Sequence, residues 1–180
     1  GNAVSNTYTL GSSFGAHVMV AGTGILLNDH IYNFALHAGP VIPHSLDTSV
    51  ANVLAPGKRA TSAITPVIVF RGERPYLVSG SPDGARIIPS MAHLLVNVID
   101  HGLNIAEATG RPRVFQNMTS GEVELEPGHP ADVIRLLQER GHKVKLVGNM
   151  GSTQSVMCTH GRFLGGADTR RPDAAAIGVN

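Results

Sequence analysis

Tryptophan is missing from the 180 residues, all aromatics together reach only 4%, and one cysteine, Cys158, stands alone. A single thiol excludes an internal disulfide and a cysteine-rich metal site, and leaves both reducing and oxidising compartments open. Charge of one sign is also lacking. The 14 Lys and Arg stand against 13 Asp and Glu, a net of +1, with no basic run longer than two. That balance carries neither a nucleic-acid footprint nor a polybasic membrane patch, so neither partner is expected. No stretch nears the roughly 18 apolar residues that cross a bilayer. There is no signal peptide and no initiator Met; the start Gly1-Asn2-Ala3-Val4 is that expected of a processed subunit or a fragment. Nine histidines are scattered without an HxxxH-type pair, so no metal site is expected. What is present is an apolar share of 42%, ordinary for a soluble globular chain, in a length that suits one domain with its own core.

Along the chain, Asn2 to Leu10 alternates small or polar with β-favouring residues and predicts a strand. Residues 11–24 are bracketed by glycines and read as a loop around a short strand. From Ala35 to Arg59 five residues are Gly or Pro and periodicity disappears, which predicts a long irregular segment. Loops of that length are more often functional than idle. Pro66 to Phe70 and Pro75 to Ser79, joined by Arg71-Gly72-Glu73-Arg74, predict a β-hairpin. Apolar residues at 87, 88, 91, 94, 95, 98 and 99 predict a helix over Arg86–His101, with Pro89 in its first turn and Gly102 just past its end. A second helix is expected over 130–140, with Val133, Leu136 and Leu137 on one face. Strands follow at about Lys143–Val147, Thr153–Thr159 and Arg162–Gly165. Hairpins and helices without regular βαβ alternation indicate an α+β fold of layered sheets with helices outside.

Between the hairpin and the first long helix lies Gly80-Ser81-Pro82-Asp83-Gly84-Ala85. A strand–turn–helix of such small residues brings backbone N–H groups to the surface at a helix N-terminus, where donors and dipole suit a developing negative charge. In acyl transfer two such N–H groups form an oxyanion hole. The plainer reading is a tight β–α turn whose glycines solve a steric problem.

The rest of the chain bears on that choice. Gly1-Asn2-Ala3-Val4 with Thr7-Tyr8-Thr9, the Gly24–Asn28 run, Gly57-Lys58-Arg59, and Leu77 to Pro82 with Gly84 to Ile87 carry a resemblance. So do Ile99 to Thr109, Met150 to Ser155, and Gly166 to Arg171. In this order and spacing they resemble the small subunit of γ-glutamyltranspeptidases (glutathione hydrolases), N-terminal-nucleophile enzymes matured by self-cleavage. The resemblance runs nearly end to end. It implies an αββα sandwich shared with a large subunit of the same precursor, with residues 1–180 as a small-subunit part incomplete at its N-terminus. It also implies a threonine nucleophile roughly ten residues ahead of Gly1, whose hydroxyl attacks a γ-glutamyl amide with its own α-amine as base. The acyl-enzyme then passes to an amino acid, a peptide or water. No residue of this chain is that nucleophile, so the chain alone is expected to be inactive. No cofactor is implied. Many relatives are exported to the periplasm or outside; the segment that would show this is not in the chain.

By the same resemblance, Thr9 matches a threonine that hydrogen-bonds the nucleophile and tunes its hydroxyl. Ser62 matches the first of two serines that hold the substrate's α-carboxylate, and the second is replaced by Ala63. Asp83 and Gly84 match a glycine pair whose N–H groups form the oxyanion hole. Aspartate keeps the backbone donor but brings a charge that is unfavourable unless the carboxylate points away, accepts a local hydrogen bond or is protonated. Asn33 stands for an Asp that pairs with the α-ammonium of the γ-glutamyl group. Losing that charge assistance costs about 1–3 kcal/mol, and an acyl group without the amine, such as glutaryl, escapes the loss. The same Asp-to-Asn exchange is what related class IV cephalosporin acylases suggest for glutaryl-type side chains. His30 replaces a Gln, and Gly11 an Asn that touches the substrate. Scaffold motifs that match around altered contact positions argue for altered acyl specificity or for lost activity. The resemblance as a whole implies γ-glutamyl transfer or hydrolysis first. The alternatives are an amidase for a dicarboxylic acyl group lacking the amine, or an inactive structural member. The large subunit would supply the arginine that grips the substrate carboxylate. Asp168 and Arg170 match a C-terminal Asp-Pro-Arg element and read as a structural ion pair. Cys158 reads as a small buried hydrophobe, and Asn117-Met118-Thr119 as a chance glycosylation pattern.

Overall fold

The apolar segments either side of Gly72 pair as predicted: β1 (Val67–Arg71) and β2 (Arg74–Gly80) form an antiparallel hairpin whose turn uses the positive φ of Gly72, +63°. In this computed structural model, residues 1–36, 39 and 48–179 are described. The expected irregular segment 35–59 falls partly outside that range, at 37, 38 and 40–47. The chain divides into two units, one of residues 8–63, the other of residues 1–7 with 64 onward.

In the larger unit β2 also pairs antiparallel with β6 (Gln154–Thr159), and β6 with β7 (Arg162–Gly166), giving a four-stranded sheet in the order β1-β2-β6-β7. His160 and Gly161 both take positive φ in the last turn, the conformation a two-residue hairpin demands. One face of this sheet packs on α1 (Ile87–Ile99) and α2 (Ile105–Gly110). Leu77, Met157, Ile87, Met91, Leu94, Val98, Ile105 and Ala108 form the core there. The helix buries the 87/91/94/98 stripe, while Ile88 and Ile99, also expected inside, are more than half exposed. A second sheet orders β3 (Val114–Gln116), β4 (Glu122–Leu125) and β5 (Lys143–Leu146), with β4 and β5 parallel across α3 (Ala131–Glu139). On α3 it is Ile134 and Leu137 that are half-buried; Val133 and Leu136 are turned out. Four apolar residues in five positions fit more than one stripe.

The strand expected over Asn2–Leu10 does not form. Residues 2–9 alternate exposed and half-buried as an extended chain would. Ser5 Oγ donates to the Ser79 carbonyl at 2.7 Å, but β2 already has a neighbour on each side and offers no edge. In the smaller unit, residues 16–27 fold back as an irregular hairpin. The bonds Ala16 N to Leu27 O and Leu27 N to Val18 O are both 2.9 Å, around a Met19–Leu26 bridge. Short 3-10 turns follow at His30–Asn33 and Val50–Asn52. The two-sheet, mixed α+β architecture is the expected one.

Candidate active site

Within the unit of residues 8–63, Thr9, Gly11, His30 and Asn33 come together. The His30–Asn33 turn docks on the 9–12 loop through Asp29. Its amide donates to the Leu10 carbonyl at 3.0 Å, and its Oδ1 accepts the Ser12 N–H at 2.9 Å. Those Ser12 contacts hold the Asp29 carboxyl below its usual pKa. Gly11 has a φ of +95°, and a Cβ there would collide with Asp29 Oδ1. A side chain at 11 therefore requires the Asp29 carboxylate to leave the Ser12 N–H. Thr9 Oγ1 accepts the Gly11 N–H at 3.3 Å.

Asn33 is buried, and its Nδ2 donates to His30 Nδ1 at 3.2 Å; His30 Nε2 lies 3.4 Å from the Thr9 carbonyl. An amide nitrogen only donates and a carbonyl only accepts, so both contacts require the tautomer protonated at Nε2. Asn52, not singled out from the sequence, is buried and ties the turn to the 61–63 segment. Its Nδ2 donates to the Asn33 carbonyl at 2.8 Å, and its Oδ1 accepts the Thr61 N–H at 3.0 Å. Ser62 follows directly, and Ala63 is buried. A side chain whose two ends bridge segments nineteen and nine residues away leaves no local sequence signal.

Asp83 and Gly84 belong to the other unit. Strand β2 ends at Gly80, a 3-10 turn spans Gly84–Arg86, and α1 begins at Ile87. Among the described residues neither the Asp83 nor the Gly84 N–H donates a hydrogen bond. Two undonated amides at the head of a helix are what an oxyanion needs. Pro82, their neighbour in the chain, lines a shallow open depression with Ser152, Gln154, Arg171 and Asp173, of which Asp83 and Gly84 form no part. Asp83 sits at φ 101°, ψ 42°, a left-handed conformation that costs a residue with a Cβ roughly 1–2 kcal/mol. Its carboxylate accepts the Gly151 N–H at 3.0 Å and lies 3.5 Å from Arg86. Of the three ways its charge could be accommodated, the local hydrogen bond is the one found. Ser81 Oγ accepts the Ser152 N–H at 3.1 Å, and a Cβ on Gly151 would stand 2.7 Å from that oxygen.

The 150–153 loop is itself held by a buried ionic cluster. Arg113 donates to the Met150 carbonyl at 2.5 Å and to Asp168 Oδ2 at 2.6 Å, and Thr153 N donates to the same oxygen at 2.8 Å. Glu126 accepts the Met150 N–H at 2.5 Å and two Arg170 contacts at 2.6 and 2.8 Å. Arg170 also reaches Asp168 Oδ1 at 3.1 Å, the ion pair expected of that element. Burial opposes ionisation of Asp168 and Glu126. The guanidinium and amide donors outweigh it, and hold both carboxyls below their usual values.

The γ-glutamyltranspeptidases are an N-terminal-nucleophile hydrolase family. The chain belongs to that family, whose model, described as Gamma-glutamyltranspeptidase, matches residues 1–178. It is 40% identical over 179 residues to the glutathione hydrolase proenzyme of Escherichia coli (strain K12), covering 99% of this chain and 31% of that protein. The acylase ACY 1 proenzyme of Pseudomonas sp. (strain SE83) is 38% identical over 144 residues, 80% of this chain and 24% of that protein. In three dimensions the chain is similar to a threonine-to-alanine mutant of Helicobacter pylori γ-glutamyltranspeptidase. The TM-score is 0.88 at 35% identity, covering 95% of each chain. It spans about a third or less of the length of these curated relatives.

Proposed function

We propose that residues 1–180 are the small-subunit part of an amidase that cleaves γ-glutamyl amides and passes the acyl group to water or an amine. The observation that carries this reading is the turn at Asp83 and Gly84, with two undonated amides ahead of α1. A threonine ahead of Gly1, freed by self-cleavage, attacks the amide carbon. The oxyanion that forms takes the Asp83 and Gly84 N–H groups, and losing one such donor costs about 10²–10³ in rate. Collapse expels the amine and leaves an ester on the threonine, which water or a second amine resolves. Thr9 orients the nucleophile's hydroxyl, Ser62 takes the α-carboxylate, and Asn33, set by His30, faces the α-amine.

A large subunit from the same precursor completes the protein. The first sheet supports this: its outer face carries the cross-strand row Ile68, Val78 and Val156 with Phe70 and Phe163, most of it exposed. A sheet with helices on one face and an apolar second face is built to be covered by another layer.

A second reading, favoured by Asn33, is an acylase for dicarboxylic acyl groups without the amine. A neutral amide whose nitrogen is engaged by His30 offers no charge to an ammonium. Turnover of γ-glutamyl-p-nitroanilide against glutaryl-p-nitroanilide by the full-length protein separates the readings. A γ-glutamyl preference above about tenfold removes the second, a glutaryl preference removes the first, and turnover of neither indicates an inactive member.

A further inference from the structure

The family's glycine pair explains a turn at Asp83 and Gly84, but not a carboxylate there. If Asp83 were a burden tolerated in a glycine's place, its side chain would lie free in solvent. Instead it reaches a loop 68 residues away. Its Oδ2 accepts the Gly151 N–H at 3.0 Å, and Arg86 stands 3.5 Å from the same oxygen. Arg86 is anchored in turn on buried Glu124, at 2.5 Å, whose other oxygen accepts Asn117 Nδ2 at 2.8 Å. Two residues earlier Ser81 Oγ takes the Ser152 N–H. The turn is therefore clasped to the 150–153 loop at two points, and Arg113, Glu126 and Asp168 bond the backbone of that loop in turn.

We infer that Asp83 is a positioning residue: its carboxylate latches the oxyanion turn to the Gly151 amide and so fixes the direction of the Asp83 and Gly84 N–H groups. A glycine pair adopts the left-handed turn without strain but also leaves it with ease. Here the side chain adds a bond that exists only while the backbone holds φ near +101°. The Gly151 N–H and the Arg86 guanidinium, which Asp83 shares with Glu124, draw the carboxylate toward the 150–153 loop side of the turn. The latch leaves substrate binding alone and acts on the transition state, where misplacement of about 1 Å can cost on the order of 10²-fold.

This inference rests on the amidase reading, and its test separates the two. Asp83→Asn, Asp83→Ala and Asp83→Gly are made in the full-length protein. Each is assayed for kcat and KM on γ-glutamyl- and glutaryl-p-nitroanilide, and for hydrogen exchange at the Gly151 amide. Asparagine keeps an acceptor oxygen and tolerates left-handed φ, so Asp83→Asn holds kcat within about threefold and keeps Gly151 protected. Asp83→Ala lowers kcat by about 10–100-fold, with KM within about threefold, and speeds Gly151 exchange. Asp83→Gly, which removes the carboxylate and eases the backbone, carries the same expectation should the alanine variant not fold. A glycine variant as fast as the parent, or an asparagine variant as slow as alanine, overturns the inference. A parent that turns over neither anilide defeats the amidase reading instead. Gly151 exchange still decides whether the latch exists.

Discussion

Exchanging Asp168 for asparagine keeps its shape and removes one charge from a cluster of two arginines and two carboxylates. Asp168 is fully buried, and its two oxygens accept from Arg113, Thr153 and Arg170, with Arg113 at 2.6 Å and the Thr153 amide at 2.8 Å. With it neutral, Arg113, itself 4% exposed, faces only one full negative charge shared with Arg170. Breaking a buried pair by removing one partner typically costs about 3–5 kcal/mol, and Asp168→Asn is expected to fall in that range. The asparagine Nδ2 would also point a donor at donors. Urea unfolding of the full-length protein reads the loss as a lower midpoint at unchanged slope. Arg113→Met alone should cost a similar amount, and the double variant much less than the sum, because no charge is then stranded. A single-variant loss below about 1 kcal/mol, or strict additivity, would refute the reasoning that this cluster holds the 150–153 loop.

Stability should fall in two stages on acidification. His93 is held below its usual pKa by burial and then by Arg113. The unfolded chain therefore takes up its proton first, and the midpoint begins to drop below about pH 6.5. Asp168 and Glu126 are also depressed, so their contribution is full above the ordinary carboxylate range and is lost below about pH 4.5. His93→Gln should abolish the first stage and leave the second. Asn33→Asp should raise γ-glutamyl over glutaryl turnover by roughly 5–150-fold, the equivalent of about 1–3 kcal/mol; an unchanged ratio would mean that residue 33 does not meet the amine. Gly11→Ala, at φ +95° against Asp29, should raise KM by tenfold or more, about 1.4 kcal/mol, and Asp29→Gly in the same chain should recover part of it.

The hairpin, α1 and the last two strands were legible because each depends on a local pattern and a local stop signal. The unforeseen α2 had such a signal: Asn104 and Glu107 form a reciprocal capping box, with Asn104 Oδ1 accepting the Glu107 amide at 2.9 Å. Strand β4 was hidden for another reason. Glu122-Val123-Glu124-Leu125 reads as a half-exposed strand, yet Glu124 and the following Glu126 are buried, because Arg86, Arg170 and backbone amides compensate them. Charge compensation over tens of residues leaves no periodicity to read. The candidate residues of the two units divide the same way. Thr9, Asn33, Asp83 and Gly84 were singled out because they sit inside recognisable motifs, whereas Asn52, Ser81 and Gly151 act through contacts that only the folded chain assembles.

In the proposed mechanism the acyl group sits on a threonine preceding Gly1, beside amides supplied by this chain. Intact-mass analysis of the full-length, self-processed protein, quenched during turnover of γ-glutamyl-p-nitroanilide, tests that directly. One γ-glutamyl increment on the fragment that contains residues 1–180, located by peptide mapping to its N-terminal threonine, is the predicted result. A processed protein that releases p-nitroaniline with no adduct on that fragment, or with the adduct elsewhere, would contradict it.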